Sequence, residues 1–246
     1  MATGSRSHVS GWLVGKVVSA TAATEHARVI TLDVPGWPGN QPGQHLDLRL
    51  TAEDGYQAVR SYSIASWGPD PVVELGVDEY VEGEVSPYLV RELRTGDLVE
   101  VRGPIGRYFV WSDTQQDAVQ LIAGGSGIVP LMSIVRAHHA SDHPAPFRLL
   151  YSVRTPADAL YADELAGLVD DAFTVDWIYT RQAPTGRGRR AGRIDAATIA
   201  ELAFPPDTAP LVYVCGPTGF VEAVAGILVQ RGHRADRIRT ERFGGL

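Results

Sequence analysis

One cysteine, Cys215, stands in 246 residues. That scarcity excludes a disulfide-stapled scaffold, a four-cysteine zinc site and a four-thiolate iron–sulfur cluster built from this chain alone. It also fits a reducing, cytoplasmic setting. Positive charge is not in excess either: 22 Lys and Arg stand against 29 Asp and Glu, a net charge of −7. A nucleic-acid binder carries a basic footprint, so no nucleic-acid partner is expected. Long hydrophobic runs are missing too. No segment approaches the ~20 apolar residues that span a bilayer, so no membrane partner is expected. The chain has no internal repeat and no low-complexity tract. Its start, Met1 to Gly11, is small and polar and reads as a flexible lead. His138, His139 and His143 lie at a predicted helix end, where cations are favoured, with no carboxylate or thiol motif to complete a ligand set. No metal site is expected.

What is present divides into two halves. Residues 12–112 read as strands: Trp12 to Ala20, Arg28 to Val34, Gln44 to Ala52, Arg60 to Ser66, Val72 to Tyr80 and Asp97 to Arg102 are short runs between Gly- and Pro-rich turns. In the third run Leu46, Leu48 and Leu50 alternate with His45, Asp47 and Arg49, the period of a half-buried strand. Only Pro87 to Leu93 reads as a helix, with proline in its first turn. Six short strands predict an antiparallel β-barrel.

Residues 113–246 change character. Ala118 to Ala123, Phe147 to Val153, Thr174 to Thr180 and Leu211 to Val214 are compact apolar runs of buried-strand type, and Ile238 to Phe243 is a last strand. Helical patterns cover Val129 to His139, Ala157 to Val169, Ala196 to Ala203 and Phe220 to Gln230. Alternation of this kind predicts a parallel sheet with helices on both faces, and such sheets bind nucleotides beyond the carboxyl ends of their strands. The expected fold is therefore two-domain: an N-terminal six-stranded antiparallel β-barrel and a C-terminal α/β parallel-sheet nucleotide-binding domain.

Three motifs carry chemistry. Gly124-Gly125-Ser126-Gly127-Ile128-Val129-Pro130 runs from a buried strand into a helix, where glycines let backbone approach a ligand and free N–H groups face a phosphate. It is not the G-x-G-x-x-G of dinucleotide-binding dehydrogenases. Cys215-Gly216-Pro217-Thr218-Gly219 ends the fourth strand of the same sheet, so the two loops are expected side by side. Arg60-Ser61-Tyr62-Ser63 puts an arginine, an aromatic ring and a hydroxyl on one barrel strand, the groups that suit a phosphate, a planar ring and a ring heteroatom.

Taken in order, Arg60-Ser61-Tyr62-Ser63, Gly83-Glu84-Val85-Ser86 ahead of the short helix, Gly103-Pro104-Ile105-Gly106, Gly124 to Pro130, Cys215-Gly216-Pro217 and the terminal Glu241-Arg242-Phe243 resemble the ferredoxin–NADP reductase-like flavoenzymes. The resemblance extends over about residues 12 to 246. It implies a flavin on the barrel, a nicotinamide nucleotide on the α/β domain, and a stand-alone reductase without an iron–sulfur domain. By position, Arg60 pairs with flavin phosphates, Tyr62 packs on the isoalloxazine and Ser63 hydrogen-bonds near flavin N5, with Ser61 on the same strand. Gly83, Glu84, Val85 and Ser86 meet the flavin pyrophosphate. Gly125, Ser126 and Gly127 cradle the pyrophosphate of the nicotinamide nucleotide. Cys215, followed by Gly216 and Pro217, and Glu241 lie where nicotinamide C4 meets N5, and Phe243 takes the place of a terminal aromatic.

One departure stands out: Asp78-Glu79 occupies a place where many members carry a basic residue. FAD is favoured over FMN. Arg154, Arg181 and Arg193 resemble arginines of NADPH-using members, and the run Arg187 to Arg193 adds charge nearby, so NADPH is favoured with NADH the alternative. The implied activity is a flavin-dependent NAD(P)H reductase that passes hydride to FAD and then single electrons to a separate acceptor: a ferredoxin, an oxygenase component, a haem protein or a small molecule. Ser63, Cys215, Glu241 and Phe243 are the residues expected to steer the transfer. Two modules fill this length, leaving no room for a globin or ferredoxin module. The other readings are a flavin-holding electron-transfer subunit of a larger enzyme, or a non-catalytic nucleotide sensor.

Overall fold

Alternating apolar residues in the first half and doubly buried strands in the second produce two different sheets. The structure, a computed structural model, describes residues 11–141, 145–186 and 189–244. The polar lead up to residue 10, His143, Arg187 and Gly188 lie outside the described residues.

In the first half β1 (Leu13–Ala22), β2 (Ala27–Asp33), β3 (His45–Thr51), β4 (Gln57–Ser63), β5 (Val72–Asp78) and β6 (Leu98–Ile105) form one antiparallel sheet in the order β4-β3-β6-β1-β2-β5. Leu46 and Leu48 of β3 face the core, while His45, Asp47 and Arg49 between them stay partly exposed. The sheet curls until its edge strands meet, but only at one end. There Ile64 bridges Leu75, and the Ala65 N–H donates to the Glu74 carbonyl at 2.8 Å. Elsewhere β4 and β5 leave a seam. Helix α1 (Ser86–Arg91), with Pro87 in its first turn, inserts Leu89 and Val90 into the barrel core. Strand β4 starts at Gln57 and ends at Ser63, earlier than the expected Arg60 to Ser66, because Ala58 pairs opposite Leu50 and reaches the core.

In the second half β7 (Val119–Gly124), β8 (Phe147–Val153), β9 (Phe173–Tyr179), β10 (Leu211–Pro217) and β11 (Ile238–Phe243) form a parallel sheet in the order β11-β10-β7-β8-β9. Leu121, Leu149, Tyr151 and Tyr213 face α2 (Ile128–His139) and the barrel. Ile122, Leu150, Val212 and Val214 face the opposite side, toward α4 (Ala196–Leu202) and α5 (Thr218–Gln230). Burial on both faces is why these strands read as unbroken apolar runs.

The helix expected over Ala157 to Val169 is broken in two. Thr155 and Asp158 form a capping box around a 3-10 turn at Pro156–Asp158, and α3 spans only Ala162–Gly167. Between them Tyr161 takes a left-handed φ of 58°, and the Leu160 N–H donates to the Tyr151 hydroxyl at 3.1 Å. Among the described residues no helix is long and apolar enough to cross a membrane.

The two sheets are docked through α2. The Gly43 N–H donates to Ser133 Oγ at 2.8 Å. Gly43 has a φ of +92°, and a Cβ there would lie 1.9 Å from the Phe109 carbonyl oxygen, so no other residue fits this approach. Arg136 reaches from α2 to Glu74 of β5 (2.8 Å) and to the Ala65 carbonyl (3.0 Å), and makes a two-pronged pair with Glu164 of α3. His138, one of the three histidines near the helix end, is buried and stacks on Phe147 with ring centroids 3.8 Å apart.

Candidate active site

The parallel sheet grows outward from β7 in two directions, to β8 on one side and to β10 on the other. At such a reversal the carboxyl ends of adjacent strands leave a crevice for a ligand. Here the crevice lies between Gly124, at the end of β7, and Pro217, at the end of β10. Gly125–Gly127 forms a tight 3-10 turn that leads straight into α2. A Cβ on Gly127 would sit 2.2 Å from the Cys215 carbonyl oxygen, so only glycine lets the two loops touch. The expected neighbourhood of the glycine loop and the Cys215-Gly216-Pro217 loop is thus present.

A cleft of about 730 Å³ opens at this edge, with Gly125, Ser126, Arg154, Pro217 and Phe243 in its walls. The barrel supplies the opposite wall, including Asp78 at the end of β5. Burial raises the Asp78 carboxyl above its ordinary value, opposed by Arg154, His26 and a hydrogen bond from Ser126. The departure noted at Asp78-Glu79 therefore faces the glycine loop. Glu79 pairs instead with Arg91 of α1.

Barrel and parallel sheet meet at Ser63 and Glu241. Ser63 ends β4, and its Oγ donates to Glu241 Oε1 at 3.2 Å. Glu241 is the register partner of Cys215 across β10 and β11. Three residues from distant parts of the chain thus share one corner. Burial pushes the Glu241 carboxyl up to about 7, against the hydrogen bond from Ser63. The Cys215 thiol is wholly buried; burial, with the Glu241 charge adding to it, raises its pKa well above normal. It therefore stays protonated and uncharged. Phe243, two residues beyond Glu241, is partly buried against the same core.

Strand β4 divides its residues between two faces. Arg60 and Tyr62 lie opposite Leu48 and Leu46, which are core leucines, so alternation puts both on the barrel's inner side. Yet the Arg60 side chain is 50% exposed, and Tyr62 is partly buried against the barrel core. Ser61 points to the outer face, where its hydroxyl donates to Asp47 at 2.7 Å, and Asp47 in turn pairs with Arg102. Glu84 pairs with Arg60 at 2.6 Å. Ser86 is buried, and its Oγ accepts from the Tyr80 N–H at 3.0 Å, which ties down the loop that holds Gly83 and Val85. A half-exposed guanidinium and an aromatic ring on one strand are groups that suit a phosphorylated planar ring.

The arginines distribute unevenly. Arg154 lines the cleft, and the Arg181 N–H donates to the Arg154 carbonyl at 2.9 Å, so the two follow adjacent strand ends. Arg193 is exposed in its loop. Arg189 is tied to Glu201 and to the Thr198 hydroxyl. His45 was not singled out by sequence, yet it is the β3 partner of Ser63. Only strand pairing places it there, and pairing leaves no local signature.

Two family models match. The oxidoreductase FAD-binding domain covers residues 8–110 and the oxidoreductase NAD-binding domain residues 121–226. The chain belongs to the ferredoxin–NADP reductase-like flavin oxidoreductases. Its FAD-binding half carries the barrel and its NAD-binding half the parallel sheet. Among curated relatives, the glycine betaine monooxygenase reductase subunit of Chromohalobacter salexigens is 30% identical over 208 residues, 83% of this chain and 56% of that protein. A reductase component of naphthalene 1,2-dioxygenase/salicylate 5-hydroxylase systems from Ralstonia is 27% identical over 237 residues, 96% of this chain and 70% of its own length. Among solved structures, the Amycolatopsis cytochrome P450 reductase GcoB superposes with a TM-score of 0.84 at 25% identity, covering 96% of this chain and 71% of that one. The chain thus spans a little over half of the betaine reductase subunit.

Proposed function

We propose that this flavin oxidoreductase oxidises NADPH, with NADH the alternative, and reduces a separate one-electron acceptor such as a ferredoxin or an oxygenase component. The observation that carries the reading is the Ser63–Glu241 hydrogen bond, made 178 residues apart in sequence, with Cys215 in register beside it. It joins the end of the flavin strand to the end of the nucleotide sheet. Bound FAD supplies the conversion between a two-electron donor and one-electron acceptors. Arg60 and Tyr62 are the residues that would hold it at the seam, with the backbone of Gly83 to Ser86 beside them. Gly125, Ser126 and Gly127, at the start of the twelve-residue α2, would take the nicotinamide nucleotide's pyrophosphate.

The chain's own groups have distinct parts. Glu241, titrating about 7, holds a proton at the shared corner near neutrality and releases it just above. Ser63 orients that carboxyl by donating to it. Cys215 fills the strand end without charge, which keeps the corner apolar. Phe243 shields the cleft from water and must move aside for a second ring to enter. The likeness to reductase components of oxygenase systems supports an oxygenase-type acceptor.

The test is single-turnover bleaching of the flavin absorbance by NADPH and by NADH, without oxygen. Ser63→Ala and Glu241→Gln are expected to slow it roughly a hundred- to a thousandfold, the range for losing one positioned polar group. Unchanged rates in both, and in Phe243→Ala, would remove these residues from the mechanism. A colourless protein that takes up no added flavin would refute the reading as a whole.

A further inference from the structure

The arginine assigned to the flavin phosphate already holds an anion. Arg60 Nη2 donates to Glu84 Oε2 at 2.6 Å, and the Tyr56 hydroxyl donates to Glu84 Oε1 at 3.0 Å. Both carboxylate oxygens are therefore engaged. Arg60 Nη1 turns back to the Val59 carbonyl at 2.7 Å. The backbone around this pair is fixed: Val85 and Ser86 are buried, and the Ser86 hydroxyl is bonded to Tyr80. The Glu84 side chain is half exposed, like its partner, so it can turn toward solvent without moving this backbone.

A guanidinium fork receives a carboxylate and a phosphate with the same geometry. We propose that Glu84 is an internal stand-in for the flavin phosphate, occupying Arg60 in the free protein and being turned out when a phosphorylated flavin binds. The inference rests on the reading that Arg60 faces that phosphate. With Glu84 in place the local charge is cancelled. An incoming phosphate must break the Arg60–Glu84 pair and then share the seam with a displaced carboxylate. Glu84 therefore weakens the binding of FAD and FMN, and does nothing to riboflavin, which carries no phosphate. It acts as an affinity-setting residue through its side chain, whereas its backbone lies beside the expected pyrophosphate position.

The test is a fluorescence titration of the full chain with FAD, FMN and riboflavin. At low ionic strength Glu84→Gln is expected to bind FAD and FMN roughly two- to fivefold tighter, the range an exposed ion pair supports. Glu84→Ala moves in the same direction. Riboflavin affinity stays unchanged in both variants, and the advantage for FAD shrinks in about 0.5 M salt. Arg60→Gln serves as the reference, losing FAD and FMN affinity but not riboflavin affinity. If Arg60→Gln behaves so while Glu84→Gln binds FAD no more tightly than wild type, the stand-in is overturned and the flavin reading survives. Tightening that extends equally to riboflavin also overturns it, since no phosphate is then involved. If neither wild type nor variants bind any flavin, both fall together.

Discussion

Burial brings the Glu241 carboxyl close to neutrality where β11 meets the end of β4, with the Ser63 hydroxyl as partner. A carboxyl raised from its ordinary 4.5 to about 7 binds its proton more readily in the folded than in the unfolded chain. Between those two values the folded state holds more protons, so rising pH costs stability across that window and nothing further above it. The loss is expected at about 2 kcal/mol, allowing for the residue's partial exposure. Glu241→Gln cannot titrate and should lack it. Urea midpoints at pH 5 and pH 8 check this: the difference between the two pH values should be larger in wild type than in the variant. An equal difference would mean that Glu241 ionises normally. This pair also marks a limit of sequence reading. Ser63 and Glu241 each belong to a recognisable motif, but the bond between them depends on how two sheets dock, which no local pattern encodes.

Helix α2 does more than follow the glycine loop. Its first turn continues the Gly125–Gly127 turn, its Ser133 accepts from Gly43 of the barrel, and its Arg136 grips both β5 and α3. Burial works to lower the Arg136 pKa, but Glu164 and Glu74 outweigh it and drive the value up, so the charge is permanent. Replacing it with methionine leaves two partly buried carboxylates facing each other. Arg136→Met should therefore destabilise by about 2–3 kcal/mol, somewhat less than a wholly buried pair. Glu74→Gln should cost less, because Glu164 still pairs with Arg136. Chemical denaturation of the three proteins gives the order; a neutral Arg136→Met would show that the docking rests on apolar contacts alone. Elements were legible where a compact apolar run or a clear alternation marks a strand. Strand β8 runs from Phe147 to Val153 as its apolar run predicts, and Leu46 and Leu48 of β3 alternate as expected. Reading failed where tertiary partners override local pattern. The segment after Pro156 looks helical throughout, but Tyr161 lies beneath Arg136, 5.2 Å from guanidinium carbon to ring centre, and its left-handed backbone interrupts the helix. Strand β4 began early for a related reason: its inner face carries Arg60 and Tyr62 at an open seam, so hydrophobicity alone marks its start poorly.

At the scale of the whole molecule, charge is divided so that the nucleotide site does not follow the net value of −7. The cleft sets Arg154 against Asp78, and Arg181 follows the neighbouring strand end. Arg189 is already satisfied by Glu201. Arg154, Arg181 and Arg193 are the arginines proposed to meet an additional phosphate. A 2′-phosphate distinguishes NADPH from NADH, and charge-assisted hydrogen bonds to it contribute about 1.5–3 kcal/mol each. Under the NADPH reading, Arg154→Gln should lower kcat/KM for NADPH by roughly ten- to hundredfold and leave NADH within about twofold. The effect should appear mainly in KM, since the phosphate is remote from the reacting ring and is held equally before and during transfer. Raising salt should erode the wild-type preference and leave the variant nearly flat, because the discriminating contact is ionic and borders an open cleft. The measurement is steady-state turnover with both nucleotides against one fixed acceptor, at two ionic strengths. Equal losses for NADPH and NADH would instead assign Arg154 to the pyrophosphate that both share, and would shift the choice of donor to Arg181 and Arg193.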